Sequence, residues 1–244
     1  MRIQLFVTCL IDSLFPEVGE SVVRVLQAAG VEVTFPADQT CCGQPAFNAG
    51  FRESARAMAR RTIVVLEASP LPVIVPSGSC AHMIRHGYAE LFADDPSWHN
   101  RAQALAARTY ELTEFLVDTM HRSVQPIDGT SLRAVYHPSC HLLRGLGVDT
   151  QPMALLRAVP GWQVDRLEAE CCGFGGVFAV DHPELSGEML ARKLDAIEAA
   201  DVETVIGCDV SCLMQIEGGL RRRGSATRCA HIAQVLAGAQ AGLR

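Results

Sequence analysis

Two pairs of adjacent cysteines are the residues in this chain with the clearest chemical meaning. Each pair, Cys41-Cys42 and Cys171-Cys172, is followed by glycine. A single cysteine precedes each pair, with 31 residues between in the first half and 30 in the second, and another follows after 37 and 39 residues. The spacing therefore describes a duplicated unit of four thiols. Its other members are Cys9, Cys80, Cys140 and Cys212.

Four thiolates are the usual ligand set of an iron-sulfur cluster. Adjacent side chains of an extended chain point in opposite directions, so Cys41 and Cys42 can face one cofactor only where the backbone bends. The glycine after each pair permits that bend. Cys80 and Cys212 are predicted in the first turn of a helix, where the helix dipole favours a thiolate. We therefore predict up to one cluster per repeat, of the 4Fe-4S type, bound by Cys9, Cys41, Cys42, Cys80, Cys140, Cys171, Cys172 and Cys212.

Other uses of cysteine fit the pattern less well. Zinc also binds four thiolates, but its structural sites usually contain two close cysteine pairs, which neither repeat has. Disulfides or inert buried thiols explain single pairs but not their repetition. A zinc-stabilised interaction module stays an alternative. A radical site that needs three closely spaced cysteines is excluded, because Cys208 and Cys212 have no third partner nearby.

Two further residues are candidate metal ligands. Cys208 lies four residues before Cys212, and the pattern favours a structural thiol there, with ligation as the alternative. His141 follows Cys140 directly, and His137 precedes it by three residues. A histidine can replace a thiolate on iron, although it more often donates a hydrogen bond to a ligand.

Composition and charge restrict the class of protein. The chain has 244 residues, 49% hydrophobic and 20% charged, which indicates a globular protein, and the duplication indicates two domains. The formal net charge of -6 argues against nucleic acid as a partner. No apolar stretch reaches the roughly 20 residues of a membrane span, and the N-terminus does not resemble a signal peptide. A cytoplasmic location is therefore predicted, where cysteines bind metal or do redox chemistry.

Strands and helices alternate around the cysteines of both halves. The patterns predict strands over residues 3–8, 31–35, 73–75, 132–136, 162–167 and 204–206. They predict helices over residues 15–29, 52–67, 153–158, 183–199 and 232–239, and two more that begin at Ser77 and Asp209 as N-caps. Right-handed crossovers would make the strands parallel and gather the thiols at the C-terminal edge of each sheet. The fold class predicted is α/β, with two pseudo-repeated domains, each a small parallel sheet flanked by helices.

The predicted domains meet in a linking segment. The first domain covers residues 1–95, and the second covers residues 132–244. Residues 96–131 are predicted as a linking helix over 98–122, which carries an apolar stripe, followed by a polar connector over 123–131 that contains Pro126.

Five tracts of the sequence resemble a known family. They are Cys-Cys-Gly-Gln-Pro-Ala-Phe-Asn at 41–48, Pro-Ser-Gly-Ser-Cys at 76–80, His-Pro-Ser-Cys-His at 137–141, Cys-Cys-Gly-Phe-Gly-Gly at 171–176 and Ser-Cys-Leu-Met at 211–214. Together they resemble the CCG-domain, cysteine-rich iron-sulfur proteins, and more narrowly the lactate utilization protein A group. The resemblance implies an electron-transfer subunit of a complex that oxidises L-lactate to pyruvate. It also implies two partners, a larger ferredoxin-like iron-sulfur subunit and a third small subunit, so that the chain would be part of an enzyme rather than a complete one.

A more distant resemblance gives an alternative function. The cysteine-rich component of heterodisulfide reductase shares the repeat, and there each unit can end in Cys-x-x-Cys, which supplies five thiols to a catalytic cluster. Ser77 and Asp209 occupy the first of those positions here. A thiol-disulfide reductase therefore stays an alternative without its fifth ligand. No Gly-x-Gly-x-x-Gly tract follows a predicted strand, so NAD or FAD binding is not expected.

Overall fold

The computed structural model describes residues 1–121, 132–159, 161–168 and 170–241. Eight short strands form two sheets within these residues. The strands are β1 (Arg2–Leu5), β2 (Glu32–Thr34), β3 (Val73–Val75), β4 (Thr109–Glu111), β5 (Leu132–His137), β6 (Trp162–Arg166), β7 (Thr204–Gly207) and β8 (Arg228–His231). The first sheet has the order β2-β1-β3-β4 and the second the order β6-β5-β7-β8. Every neighbouring pair is parallel. The two sheets are therefore copies of one topology, which confirms the predicted fold class.

Thirteen α-helices connect and cover the strands in the described part of the chain. They are α1 (Cys9–Leu14), α2 (Pro16–Ala28), α3 (Gln44–Asn48), α4 (Arg52–Glu67), α5 (Gly78–His82), α6 (Tyr88–Leu91), α7 (Pro96–Ala106), α8 (Leu112–Glu114), α9 (Thr150–Arg157), α10 (Phe178–Asp181), α11 (Pro183–Ala199), α12 (Val210–Arg222) and α13 (Ile232–Ala241). Short π-helical turns occupy Met83–Gly87, Phe115–Thr119 and His141–Gly145. No helix among the described residues is both long and apolar enough to cross a bilayer.

The single linking helix predicted over residues 98–122 is wrong. Helix α7 ends at Ala106, and β4 follows and pairs with β3 as an edge strand. The reason is tertiary: the backbone N–H and C=O groups along the open edge of buried β3 need hydrogen-bond partners, and residues 109–111 supply them whatever their local helical spacing. The first sheet therefore extends past residue 95 to Glu111. The predicted connector over 123–131 lies outside the described residues.

The two repeats share their largest apolar core. Its buried residues come from both halves and include Ile3, Ile74, Tyr136 and Ile206 from the strands. Helix α2 of the first repeat packs against α13 of the second within this core. Two smaller cores cover the outer faces of the sheets, one around α4 and one around α11 and α12. Separating the repeats would therefore expose this apolar surface to water, which costs about 25 cal/mol for each Å² exposed.

Glu111 is a buried acid near the junction of the repeats. It ends β4, is 0% exposed, and accepts hydrogen bonds from the backbone N–H groups of Thr113 and Glu114 through one carboxylate oxygen. Its other oxygen has no partner among the described residues. Burial raises the pKa of Glu111 from 4.5 to about 7. The folded chain therefore holds a proton on this group more tightly than the unfolded chain does.

Glu111 makes the stability of the protein depend on pH. A raised carboxyl pKa contributes stability that is complete below about pH 4.5 and is lost as the pH rises through about 7. At 1.36 kcal/mol per pKa unit, the free energy of unfolding should fall by about 2–3 kcal/mol between about pH 5 and pH 8 from this group alone. In Glu111→Gln the free energy of unfolding should not show this fall. Urea unfolding at pH 5 and pH 8 measures the free energy in both proteins. An equal fall in the variant would contradict the raised pKa of Glu111.

Candidate metal centre

The four thiols of the first repeat line one cavity at the C-terminal edge of its sheet. Cys9 begins α1, Cys41 and Cys42 lie in the loop between β2 and α3, and Cys80 is the third residue of α5. The Sγ atoms of Cys42 and Cys80 are 3.3 Å apart. Cys41 is hydrogen-bonded to both Cys9 and Cys42. The cavity that these side chains line has a volume of about 330 Å³.

The backbone bends at the glycine after the first cysteine pair. Gly43 has φ +85°, a conformation that glycine adopts without strain. Its N–H donates to the Sγ of Cys41 over 3.4 Å. The hydroxyl of Tyr88, a fully buried residue, donates to the backbone carbonyl of Cys42 over 2.9 Å. Both contacts hold the pair in the orientation that directs its sulfur atoms to the cavity.

The second repeat reproduces this arrangement. The Sγ atoms of Cys172 and Cys212 are 3.0 Å apart, and Cys171 is hydrogen-bonded to both Cys140 and Cys172. Gly173 has φ +85°, and its N–H donates to the Sγ of Cys171 over 3.4 Å. All four thiols border one smaller cavity of about 50 Å³. Each repeat thus brings together the four thiols predicted for it.

The two hinge glycines differ in the space around them. A Cβ on Gly173 would lie 2.5 Å from the backbone carbonyl oxygen of Ser186, whereas one on Gly43 would meet Met58 Cβ at 3.1 Å. Both Ala variants incur the left-handed strain of about 1–2 kcal/mol. Gly173→Ala should therefore destabilise the protein by clearly more than Gly43→Ala and should lower iron binding in the second repeat. Denaturant unfolding with iron analysis compares the two, and equal losses would contradict the clash.

The sulfur atoms of each set share protons. Hydrogen bonds from Cys42 and Cys9 lower the pKa of Cys41 to about 3. Those from Cys140 and Cys172 lower the pKa of Cys171 in the same way. The donors Cys42 and Cys172 have raised pKa values, since each hydrogen-bonds to its neighbouring sulfurs and is buried. The thiolate is the form of cysteine that ligates metal, so a bound metal would displace the S–H protons of each set.

The two thiol sets lie side by side at the junction of the repeats. The cavity of the first set is closed in part by Phe174, Val177 and Val180 of the second repeat. The cavities have five lining residues in common, namely Gln44, Ser79, Phe174, Gly176 and Ser211. Gly176 has φ +71°, and a Cβ added to it would lie 3.5 Å from the Pro45 side chain of the first repeat. The sites are therefore adjacent.

Asp209 joins the repeats beneath the thiols. It occupies the N-cap position of α12, but its side chain does not cap that helix, so the capping role predicted for it is wrong. The buried carboxylate accepts from the Ser77 hydroxyl at 2.7 Å, from the Ser79 N–H at 3.0 Å, and from the hydroxyls of Ser79 and Ser139. Burial opposes its ionisation, but these hydrogen bonds outweigh burial and hold the pKa of Asp209 below its usual range. By contrast, Ser77 does cap α5, as predicted.

The other candidate ligands lie in different places. Cys208 is fully buried in the shared core, 3.7 Å from the Tyr136 hydroxyl, and borders neither thiol cavity. His141 lies beside Cys140, with Nδ1 3.7 Å from its Sγ, and contacts the Gln44 amide of the first repeat at 3.1 Å. His137 is 1% exposed, and neither ring nitrogen has a partner among the described residues. Burial lowers its pKa to about 4.

One charged residue near the second set was not predicted from the sequence. Lys193 is fully buried in α11, and its ammonium donates to the Glu168 carbonyl over 2.9 Å. Burial lowers the pKa of Lys193, and the nearby acidic groups of Glu170, Cys172, Cys171 and Cys212 oppose that shift. The signal was present in the sequence, because Lys193 falls between Leu190 and Leu194 on the apolar face of the helix, where a lysine needs a partner.

The donor sets fit an iron-sulfur cofactor. Each cavity presents four sulfur atoms and a backbone N–H directed at one of them, and hydrogen bonds within each set lower the pKa of Cys41 and Cys171. Hydrogen bonds of that kind are what such clusters use to tune their potential. The ring nitrogens of His137, which have no partner among the described residues, are further donors beside the second set. All ten cysteines are free thiols, so no disulfide competes for them.

The fold and these thiol sets together define a protein built from two cysteine-rich domains. The sequence pattern of the family described as CCG, cysteine-rich domain, matches residues 3–85 and 134–217. Lactate utilization protein A 2 of Bacillus cereus is 45% identical over 239 residues, which cover 97% of this chain and 98% of that protein. Lactate utilization protein A of an Exiguobacterium species is 46% identical, with 96% of each chain covered. The chain belongs to the lactate utilization protein A family.

A solved structure supports the fold alone. A hypothetical protein from Helicobacter pylori superimposes with a TM-score of 0.64 at 12% sequence identity. The match covers 98% of this chain and 48% of that one.

Proposed function

We propose that this chain is the iron-sulfur electron-transfer subunit of a complex that oxidises L-lactate to pyruvate. The observation that carries the proposal is the pair of adjacent four-thiol cavities in a chain 45% identical to lactate utilization protein A 2. Oxidation of lactate to pyruvate releases two electrons and two protons. A bound iron-sulfur cluster accepts or donates one electron at a time, so two centres match the stoichiometry.

The chain's own residues would bind and orient the clusters. The N-terminal ligands are Cys9, Cys41, Cys42 and Cys80, and the C-terminal ligands are Cys140, Cys171, Cys172 and Cys212. Gly43 and Gly173 donate N–H groups to the first cysteine of each pair. Phe174 and Val177 limit access of water to the first cavity, and Lys193 offsets negative charge at the second. The five lining residues that the two cavities share support a relay through two neighbouring centres.

The partners and location follow from the same proposal. A relay that lacks a substrate-binding cofactor needs other subunits to take electrons from lactate and to pass them on. A larger ferredoxin-like iron-sulfur subunit and a third small subunit would fill these roles, in the cytoplasm. No electron acceptor is assigned to this chain.

The geometry disfavours a heterodisulfide reductase-type cluster. Ser77 and Asp209 stand where that family can place a fifth thiol, and they hydrogen-bond to each other across the repeats at 2.7 Å. A zinc-stabilised module is the other alternative, and metal content separates it from the proposal.

The test uses the full-length chain purified without oxygen and reconstituted with iron and sulfide. Iron and sulfide counts with EPR should show two clusters per chain. Mixed with the ferredoxin-like and third subunits, the loaded chain should support pyruvate formation from L-lactate with a dye as acceptor, and the chain without iron should not. Zinc in place of iron, or equal pyruvate formation without this subunit, would overturn the proposal.

A further inference from the structure

The two repeats differ at a position next to the thiols. Counting back three residues from Cys140 gives His137, and counting back three from Cys9 gives Phe6. Phe6 is fully buried in the apolar core that includes Cys42, so its ring needs no polar partner. His137 is equally buried but carries two ring nitrogens without a partner among the described residues. An unsatisfied buried polar group of this kind is unfavourable and calls for an explanation.

The position of His137 beside the second thiol set explains its unpartnered ring nitrogens. A ring nitrogen of His137 and the Sγ atoms of Cys172 and Cys212 all lie within 4.8 Å of one another. This spread suits donors that surround a common metal, since zinc sites, for example, place nitrogen at about 2.0–2.1 Å and sulfur at about 2.3 Å from the ion. The first repeat has a phenyl ring at the matching place, so it offers sulfur only.

We propose that His137 is a nitrogen ligand of the metal centre in the second repeat, in place of one of its four thiols, which makes that centre a mixed nitrogen-sulfur site while the first centre is bound by sulfur alone. The inference rests on the proposed function, because it assigns a ligand to a centre that the function requires. Replacement of thiolate by imidazole raises the potential of an iron-sulfur centre. The C-terminal centre is therefore the one that is reduced first.

A second difference between the repeats should also raise the potential of the C-terminal centre. Met58 and Met189 occupy matching places against the hinge glycines. Four residues beyond each lie Thr62 and Lys193, both fully buried. The ammonium of Lys193 donates to the Glu168 carbonyl over 2.9 Å, three residues before Cys171, so its positive charge would stabilise added negative charge on the second centre. A neutral hydroxyl gives the first centre no comparable support.

The test isolates the C-terminal centre. Full-length Cys42→Ser protein is reconstituted with iron and sulfide without oxygen, reduced, and examined by pulsed EPR. The expected result is a ¹⁴N coupling of the size produced by a coordinated imidazole. In Cys42→Ser/His137→Phe, which installs the residue of the first repeat, the coupling should be lost, the midpoint potential should fall, and the four thiols should retain the iron. His141→Phe in the same background is the matched control and should keep the coupling.

Two further measurements keep the inference testable when a variant does not fold. Growth with ¹⁵N-histidine should convert the ¹⁴N coupling to a ¹⁵N coupling without any substitution at His137. Cobalt(II) added alone should give a hyperfine-shifted imidazole N–H in the proton NMR spectrum. A chain that binds no iron would refute the proposed function, and the cobalt spectrum would still decide the ligand. Loaded protein without nitrogen coupling, or with the same coupling in the His137→Phe variant, would overturn the ligand assignment alone.

Discussion

Cys172→Ser should remove the iron of the C-terminal centre, and Cys42→Ser that of the N-terminal centre, each leaving the other centre loaded. Both residues are 2% exposed, and their sulfur atoms lie within 3.3 Å of a second predicted ligand. The thiolate is the ligating form of cysteine, and a serine hydroxyl does not ionise at neutral pH. Iron and sulfide counts should fall to about half of the wild-type value in each single variant and to near zero in the double variant.

Two cysteines outside the sets are controls for this experiment. Cys208 is as buried as Cys42 and Cys172, and Cys229 lies on β8 with a partly buried side chain. Cys208→Ser and Cys229→Ser should retain full iron, since neither borders a thiol cavity. Loss of iron in Cys208→Ser at unchanged folding would make it a ligand. Unchanged iron in Cys42→Ser or Cys172→Ser would remove that repeat from the assignment.

The alternation of strands and helices could be predicted because its signals are local. Helices α4 and α11 and strand β3 match their predicted limits, Arg52–Glu67, Pro183–Ala199 and Val73–Val75. In α4, for example, the buried residues recur at helical spacing, with Ala55, Ala59 and Ile63 on one face. Parallel pairing then follows from connection geometry alone.

The edge strands could not be predicted in the same way. Strand β4 has three residues, and Tyr110 falls within an apolar pattern that also fits a helix. Strand β8 has four residues, of which only His231 is buried. Strands this short show little alternation of apolar and polar residues. They are stabilised by pairing with β3 and β7, which are distant in sequence. Their presence is decided by tertiary contacts rather than by local preference.

Contacts between the repeats could not be predicted from sequence patterns either. Ser77 and Asp209 both suit an N-cap, yet only Ser77 caps its helix. The partners of Asp209 lie 132 and 130 residues away at Ser77 and Ser79, and no periodicity records such a contact. The thiol spacing was informative because the duplication repeats it in both halves of the sequence. The differences between the repeats can be interpreted only when the structure shows which residues occupy equivalent positions in the two halves.

Those differences indicate how the duplication has diverged. Both halves keep the cysteine pair, the hinge glycine and a cysteine in the third position of a helix. The second half adds His137 and Lys193 where the first has Phe6 and Thr62. The first half receives part of its cavity wall, including Phe174, from the second. Neither repeat therefore forms its complete centre alone, which is consistent with the shared apolar core.

Asp209→Ala should be the most destabilising substitution among the polar residues at the junction. The carboxylate accepts four hydrogen bonds, three of them from Ser77 and Ser79 of the first repeat. Its removal leaves buried hydroxyl and N–H donors without an acceptor, at about 1–3 kcal/mol for each unsatisfied group. The free energy of unfolding should fall by about 3–5 kcal/mol, the range found when one member of a buried charged network is deleted. Urea denaturation of the metal-free chain measures it without interference from bound iron.

An aspartate on the surface provides the comparison. Asp195 pairs with Arg223 at 2.7 Å, but its side chain is 69% exposed. Asp195→Ala should therefore cost no more than about 1 kcal/mol. Asp209→Asn, which keeps the shape and loses the charge, should have a free energy of unfolding between those of the two Ala variants, because one amide oxygen can still accept from Ser77.

Because Asp209 fixes α5 against α12, and these helices carry Cys80 and Cys212, Asp209→Ala should also lower the iron content of both centres together. Loss from one centre alone, or a stability like that of Asp195→Ala, would show that the serine-aspartate network does not align the two thiol sets.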